Sequence, residues 1–365
     1  MRGAQKEGAL FSAAIAGAPG GPLALFGMGC GELAEQLTLR YGRGAYHAAA
    51  IYRGVCQRGD TRIDAFPELA RSPALARRIA ADLRLPACRI VATQKMDGVL
   101  KFATALWDGR IIESVIIPAA GRTTLCVSSQ VGCRMGCRFC ATGAMGFGRN
   151  LLPEEIVWQV WAARFRLAAR VDNVVFMGMG EPLDNFAHLA RALRVMGDQR
   201  GLDIAPRRIT VSSAGHADGI RHLGRLGLPN LRLAVSLNAA DDRLRSRLMP
   251  INRKYPLACL KAALEGFPIG RDGVVLVEYV LLAGVNDARS DAAGLAAYLK
   301  GLLVRVNLIA YNGDGRSGFA APPAAQVARF CRWLAEEGVF CCRRQPRGRD
   351  ILAACGQLGA SLAAP

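Results

Sequence analysis

The chain has 365 residues, 52% of them hydrophobic, and 47 Lys and Arg against 29 Asp and Glu, for a formal net charge of +18. That length suits one large domain with a smaller one, and the apolar content allows a sizeable core. The excess charge argues against an acidic or neutral surface and favours a polyanionic partner. GC-rich coding also enriches arginine, but it accounts for Arg over Lys better than for basic over acidic.

Residues 1–22 are Gly-, Ala- and Pro-rich and read as a tail. From Leu23 to about Pro86 the pattern is one of short helices, with helical spacing at Ala45–Tyr52 and Ala74–Leu83, so 23–88 reads as a helical accessory domain. Over 89–118 the pattern changes. Leu100–Trp107, Asp108-Gly109 and Ile111–Ile117 read as a hairpin that extends a sheet. Strand-like runs then recur at Thr124–Ser128, Asn173–Met177, Arg208–Ser212, Leu231–Leu237, Val274–Leu282 and Arg305–Ala310, with helical stretches between them. This alternation predicts an α/β core over 119–346, with a parallel sheet able to curl into an incomplete barrel. Active residues would then sit at the C-terminal strand ends. The last segment is 347–365.

No apolar run reaches the roughly 18–20 residues needed to span a bilayer; Val274–Val285 comes nearest and Glu278 interrupts it. Ala9–Ala18 faintly mimics a signal peptide, but Lys6-Glu7 is a poor basic lead. The cysteines do not read as a secreted disulfide framework, which places the chain in the reducing cytoplasm.

Cys133, Cys137 and Cys140 have the spacing C-x3-C-x2-C. Three thiolates in one loop bind soft metal, either zinc or an iron–sulfur cluster. Structural zinc usually takes two C-x-x-C pairs or a Cys/His mixture, and the next histidine is the distant His188. Spacing therefore favours a cluster and leaves zinc or chance clustering open. Three ligands on a four-iron cluster leave one iron vacant.

With Phe139 before the last cysteine, the motif resembles the signature of radical S-adenosylmethionine (SAM) enzymes. The flanks Thr124–Cys133, Ala141-Thr142-Gly143 and Gly146–Leu151 are similar to the RlmN/Cfr family of RNA adenine methyltransferases. The likeness runs from about Arg43 to Leu358. It implies an incomplete (β/α)6 radical SAM barrel with a small helical N-terminal accessory domain. It further implies a [4Fe-4S] cluster on Cys133, Cys137 and Cys140, and two SAM molecules per turnover.

Phe176–Pro182 resembles the family's GGEP-like SAM segment, with Met179 where its first glycine is expected, which singles out Gly180 and Glu181. Ser212, Ser236, Leu237, Asn238 and Asn312 match further SAM contacts; Asn238 replaces the usual histidine and Ala310 a common proline. From the residues alone, short polar groups there also end ordinary strands. Cys126 and Cys355 alone read as small buried hydrophobes. The resemblance makes Cys355, in Arg347–Leu358, the cysteine that is methylated, and Cys126 its resolving partner in a transient disulfide. Glu113 matches the family's proton acceptor, although from the residues alone it reads as an edge-strand carboxylate facing water. Glu278 is a similar carboxylate with no family role.

The implied function is methylation of adenine carbon 2 in large-subunit ribosomal RNA, with tRNA as a further candidate. Cfr-like methylation of carbon 8 is the alternative, and a non-catalytic metal-containing RNA-binding protein is the reading from another class. A flavodoxin or ferredoxin would supply electrons to a monomer. Arg149, Arg207, Arg208, Arg253, Arg343, Arg344, Arg347 and Arg349 are the arginines expected to meet RNA, though each alone also fits a solvated surface charge.

Overall fold

The computed structural model describes residues 21–271, 273–313, 317–344, 348 and 350–359. The chain divides into two compact units. The first takes Met1–Ala87 together with Leu152–Ala168 and Ala187–Ile204. Its helices are α1 (Cys30–Tyr41), α2 (Ala45–Tyr52), α3 (Pro73–Asp82), α4 (Pro153–Phe165) and most of α5 (Phe186–Gly197). α1 starts where the Glu32 carboxylate accepts from Gly29 N at 2.7 Å and Asp198 accepts from Cys30 N at 2.7 Å. It stops at Gly42, whose left-handed φ of 63° lets its N–H reach Thr38 O. α4 begins with Pro153 and is apolar nearly all round, so it is buried nearly all round. Trp161 on α4 keeps its one polar group satisfied by donating to Val55 O at 2.7 Å.

The second unit comprises Cys88–Leu151, Ala169–Phe186 and Ala205–Pro365. Its ten-stranded sheet follows chain order without returning to the first strand. Three antiparallel strands form one side: β1 (Arg89–Met96), β2 (Val99–Ala105) and β3 (Ile111–Ala119). The extension expected over 89–118 is therefore part of the main sheet. β3 pairs antiparallel with β4 (Arg122–Cys126). The remaining strands run parallel to β4: β5 (Asn173–Phe176), β6 (Ile209–Ser213), β7 (Arg232–Ser236), β8 (Val275–Leu281), β9 (Val304–Ala310) and β10 (Cys341–Arg344).

Strands β4 to β9 are the six expected from the sequence, within one or two residues at their ends, in an open partial barrel. Val174, Val211, Val235, Val277 and Leu308 share one face of these strands and are all buried there. β10 was not foreseen, because Cys341-Cys342-Arg343-Arg344 carries too little apolar sequence to read as a strand. No helix among the described residues is long and apolar enough to cross a membrane.

Candidate functional site

The C-terminal ends of β5 to β9 converge on a cavity of about 160 Å³. Its wall includes Cys133, Cys137, Cys140, Gly180, Glu181, Ser212, Ser236, Asn238, Glu278 and Cys355. Residues far apart in the chain thus meet where a barrel places its chemistry.

The cysteine loop leaves a short strand, Gln130–Gly132, that pairs with Phe147–Asn150. Gly132 has φ +70°, and a Cβ there would lie 2.0 Å from Gly146 O, so only glycine fits. Cys133 N donates to Gly146 O at 2.7 Å and Cys140 N to Cys137 O at 3.1 Å. The loop is also tied to the C-terminal segment. Ala141 N donates to Gly356 O at 2.8 Å, and Thr142 Oγ1 to Leu358 O at 2.6 Å.

Burial pushes the Cys133 thiol up to about 12 and lifts Cys137 well above the usual thiol range, and in both cases the charges of neighbouring cysteines add to it. Among the described residues no group of three His, Cys, Asp or Glu closes on a single metal ion. The donor set nevertheless fits a cationic cluster. Three thiolates crowded into one buried wall repel one another, and positive charge among them relieves that repulsion.

The SAM-like segment is built by close backbone approach. A Cβ on Gly178 would lie 2.6 Å from Val127 O, and one on Gly180, at φ +99°, would lie 2.5 Å from Gln130 Cβ. Glu181 is buried and accepts from Leu183 N at 3.2 Å and Ala214 N at 2.7 Å. Burial raises its carboxyl to about 7, opposed by those hydrogen bonds. Asn312 is 4% exposed, and its Oδ1 finds no hydrogen-bond partner among the described residues. An orphaned buried acceptor is costly unless a ligand donates to it.

Other expected contacts are placed differently. Asn238 is fully buried at φ +60°, a conformation asparagine tolerates. Its Oδ1 accepts from Val280 N at 2.8 Å and its Nδ2 donates to Met249 Sδ at 3.2 Å, so its amide is already committed to joining β7 to β8. Leu237 is 1% exposed, and its backbone, rather than its side chain, is engaged at the site.

Cys126 is buried at the end of β4, and its thiol is pushed up to about 12 by burial and then by the charge of Cys355. Cys355 faces the open cavity and counts as exposed, yet protein surrounds it closely enough that desolvation raises its thiol to about 11. The Glu278 charge adds to that rise and Arg344 opposes it. Glu278 is itself buried, held by Asn307 Nδ2 at 2.7 Å, with its carboxyl raised by burial.

Glu113 does not face water. It is 2% exposed, with Lys101 Nζ 3.0 Å from Oε1 and Gly359 N donating to Oε2 at 2.6 Å. The contact is an ion pair, with no hydrogen bond from Lys101 Nζ among the described residues. The correction has a simple cause: β1 and β2 pair beyond β3, which is therefore no edge strand.

Residues 127–296 match the radical SAM superfamily. The chain is 43% identical over 338 residues to the dual-specificity RNA methyltransferase RlmN of Anaeromyxobacter dehalogenans, spanning 90% of each protein. It is 43% identical over 337 residues to that of Geobacter sulfurreducens, spanning 92% of each. This chain belongs to the RlmN family. The crystal structure of a radical SAM methyltransferase from Sphaerobacter thermophilus superposes with a TM-score of 0.86 at 40% identity, covering 93% of this chain and all of that one.

Several residues that hold this RlmN-type site carry no motif. Arg245 is fully buried and donates to Leu237 O at 3.0 Å, Ala214 O at 2.8 Å, Ser236 O at 3.2 Å and Asn252 Oδ1 at 2.7 Å. Asn185 Nδ2 ties Ser129 O and Leu151 O together at 2.8 and 2.9 Å. Of the arginines expected to meet RNA, Arg347 and Arg349 lie outside the described residues. Arg207 and Arg208 are exposed but precede β6, at the end of the barrel opposite the cavity.

Proposed function

We propose that this protein methylates carbon 2 of an adenosine in large-subunit ribosomal RNA, and in tRNA as a second substrate, with the methyl carried through Cys355. The coarser statement stands on kinship alone: the chain is a SAM-dependent RNA methyltransferase of the radical SAM class, with a [4Fe-4S] cluster and SAM as cofactors. The observation that most supports the finer reading is the meeting of Cys355 with the three-cysteine loop in one cavity. The C-terminal segment, more than two hundred residues along the chain, thereby brings a thiol to the cavity that the cysteine loop lines, which supports a part for that thiol in the chemistry.

Cys133, Cys137 and Cys140 would hold the cluster, and Glu181, Gly180, Ser212, Ser236 and the orphaned Asn312 Oδ1 would hold SAM, with Leu237 and Asn238 shaping that wall. When bound, the cluster supplies the electron that splits SAM into methionine and a 5′-deoxyadenosyl radical. Adenine carbon 2 is electron-poor and cannot attack a methyl group as a nucleophile, so a carbon radical must be delivered to it. The Cys355 thiol would serve as carrier: it takes a methyl from one SAM, a hydrogen atom of that methyl passes to the 5′-deoxyadenosyl group of the other, and the remaining methylene bonds to the ring, whose unpaired electron would return to the cluster. Two SAM molecules are consumed in each turnover. Glu113 takes the ring proton. The Cys126 sulfur then displaces the new carbon from the Cys355 sulfur, forming an S–S bond as the S–C bond breaks, and the released carbon takes a proton from water to complete the methyl group.

A flavodoxin- or ferredoxin-type donor, a thiol-reducing cytoplasm and a monomeric enzyme go with this reading. Residues 23–88 and 89–118 grip folded RNA, 119–346 carry the barrel and 347–365 carry the methyl-accepting cysteine; of the tail expected over 1–22, residues 1–20 lie outside the described residues. The reading is tested by incubating anaerobically reconstituted protein with SAM, reductant and RNA. It predicts 5′-deoxyadenosine and 2-methyladenosine in the digest. 8-Methyladenosine would favour the Cfr-like alternative, and a colourless zinc protein making neither product would reject the radical route.

A further inference from the structure

Beside the cysteine loop lies a surface that the chemistry above leaves unused. Trp107, at the β2–β3 turn, is 64% exposed, and Phe147 is 37% exposed. Gly109, at φ +78°, shapes the turn that presents Trp107, with Leu106 N bonded to Arg110 O at 2.8 Å. Each aromatic has a guanidinium over its face. Arg134 Cζ lies 3.9 Å from the Phe147 centroid, and Arg149 Cζ lies 5.4 Å from that of Trp107.

Both arginines are pinned. Arg134 Nε is 3.0 Å from Asp184, and Arg149 Nε donates to Asp108 at 2.7 Å. A third, Arg110, is 3.5 Å from the same Asp108. Arg110 and Phe147 line an open cleft of about 410 Å³, floored by Val131, Gly132 and Gly148. A Cβ on Gly148 would lie 3.1 Å from the backbone oxygen of Val131, so glycine keeps the floor low. Gly132 is the residue before Cys133, so an occupant of this cleft borders the reactive cavity.

Protein-docking surfaces also favour aromatic residues and arginine at their centre, but they are depleted in aspartate and glutamate there. Here exposed aromatic faces alternate with fixed guanidiniums beside a cleft lined by Ile111, Val131 and Met145 as well as by three glycines, with three arginines against two aspartates, on a chain of net charge +18. That is the chemistry of a surface for unpaired nucleotides, where rings stack on bases and guanidiniums meet phosphates. An adenosine that must leave its stack to reach the cavity leaves neighbours whose faces need a new partner.

We propose that Trp107 and Phe147 are stacking platforms for unpaired nucleotides flanking the target adenosine, with Arg110, Arg134 and Arg149 contacting their phosphates. This rests on the RNA methyltransferase reading and adds to it where, and by which side chains, the substrate is held.

The test is equilibrium binding of a fluorescein-labelled RNA hairpin carrying an unpaired adenosine, which needs no turnover. Trp107→Ala and Phe147→Ala each weaken binding about 5- to 150-fold, the range for loss of one stacked base. Their melting temperatures stay at the wild-type value, because both side chains are exposed. Trp107→Phe and Phe147→Tyr restore affinity. An RNA made abasic beside the adenosine binds the wild type more weakly but costs the alanine variants nothing more. The salt dependence of binding is unchanged by the aromatic variants and falls by about one unit of slope in Arg149→Gln. Full affinity in both alanine variants, or equal losses with intact and abasic RNA, would overturn the proposal and leave the patch to a protein partner or to none. Wild-type protein that bound no RNA would overturn the methyltransferase reading as well.

Discussion

Replacing Arg245 with methionine tests what holds the cavity together. The side chain is fully buried, and its four acceptors are the carbonyls of Ala214, Ser236 and Leu237 and the Asn252 amide oxygen. Those carbonyls lie at or just past the ends of β6 and β7, the strands that bring Ser212 and Ser236 to the cavity. Methionine fills much of the volume but donates nothing. Each acceptor left buried and unpaired costs about 1–3 kcal/mol, while removal of a desolvated charge returns part of that sum. Breaking one side of such a buried network leaves a net loss of about 3–5 kcal/mol. At about 2–4 °C per kcal/mol for a unit of this size, the melting temperature falls by about 6–20 °C. Urea denaturation of metal-free Arg245→Met, followed by circular dichroism, measures the loss directly. Arg245→Lys, which keeps the charge but reaches fewer carbonyls, falls between the two. A loss under about 1 kcal/mol in the methionine variant would refute the reasoning.

In the metal-free protein Glu181 has a folded-state value of about 7 against an ordinary 4.5. Between those values the native state keeps a proton that the unfolded chain has released, so this group's contribution to stability is full below about pH 4.5 and is lost as pH rises toward 7. Glu181→Gln removes that decline, about 3 kcal/mol in all, and urea midpoints of the two proteins compared at pH 5 and pH 7.5 would reveal it. Parallel pH curves would contradict the assignment. Gly180→Ala combines a φ of +99° with a Cβ placed 2.5 Å from Gln130 Cβ. Strain and overlap together cost about 2–5 kcal/mol, to be read from the urea midpoint. A midpoint unchanged in that variant would mean the segment relaxes freely.

What the sequence revealed was chemistry carried by short, contiguous runs. The cysteine loop, the Gly180-Glu181 turn and the tail around Cys355 each declare themselves within about a dozen residues. What it concealed depends on partners far along the chain. Arg245 is one of several arginines in Asp241–Leu248, and only its side of the helix, entering beside Gly215, distinguishes it from solvated neighbours. Glu113 looked like an edge carboxylate because the pairing of β1 and β2 beyond it, and the facing Lys101, are tertiary facts. Asn238 lines the cavity where the family has histidine, but its left-handed backbone and its amide bond to Val280 N depend on the β7–β8 junction and leave no mark in the local sequence. Apolar content located the six barrel strands and missed β10, whose residues pair through backbone alone as far as sequence pattern can tell.

The most direct measurement follows the transferred carbon itself. Protein produced in cells fed trideuteromethyl methionine is purified, given unlabelled SAM, reductant and RNA, and stopped after one turnover. The account predicts a first-turnover methyladenosine with two deuteriums from the group on Cys355, and one deuterium in 5′-deoxyadenosine. An unlabelled methyl in that first product, with the trideuteromethyl group still on Cys355, would contradict it.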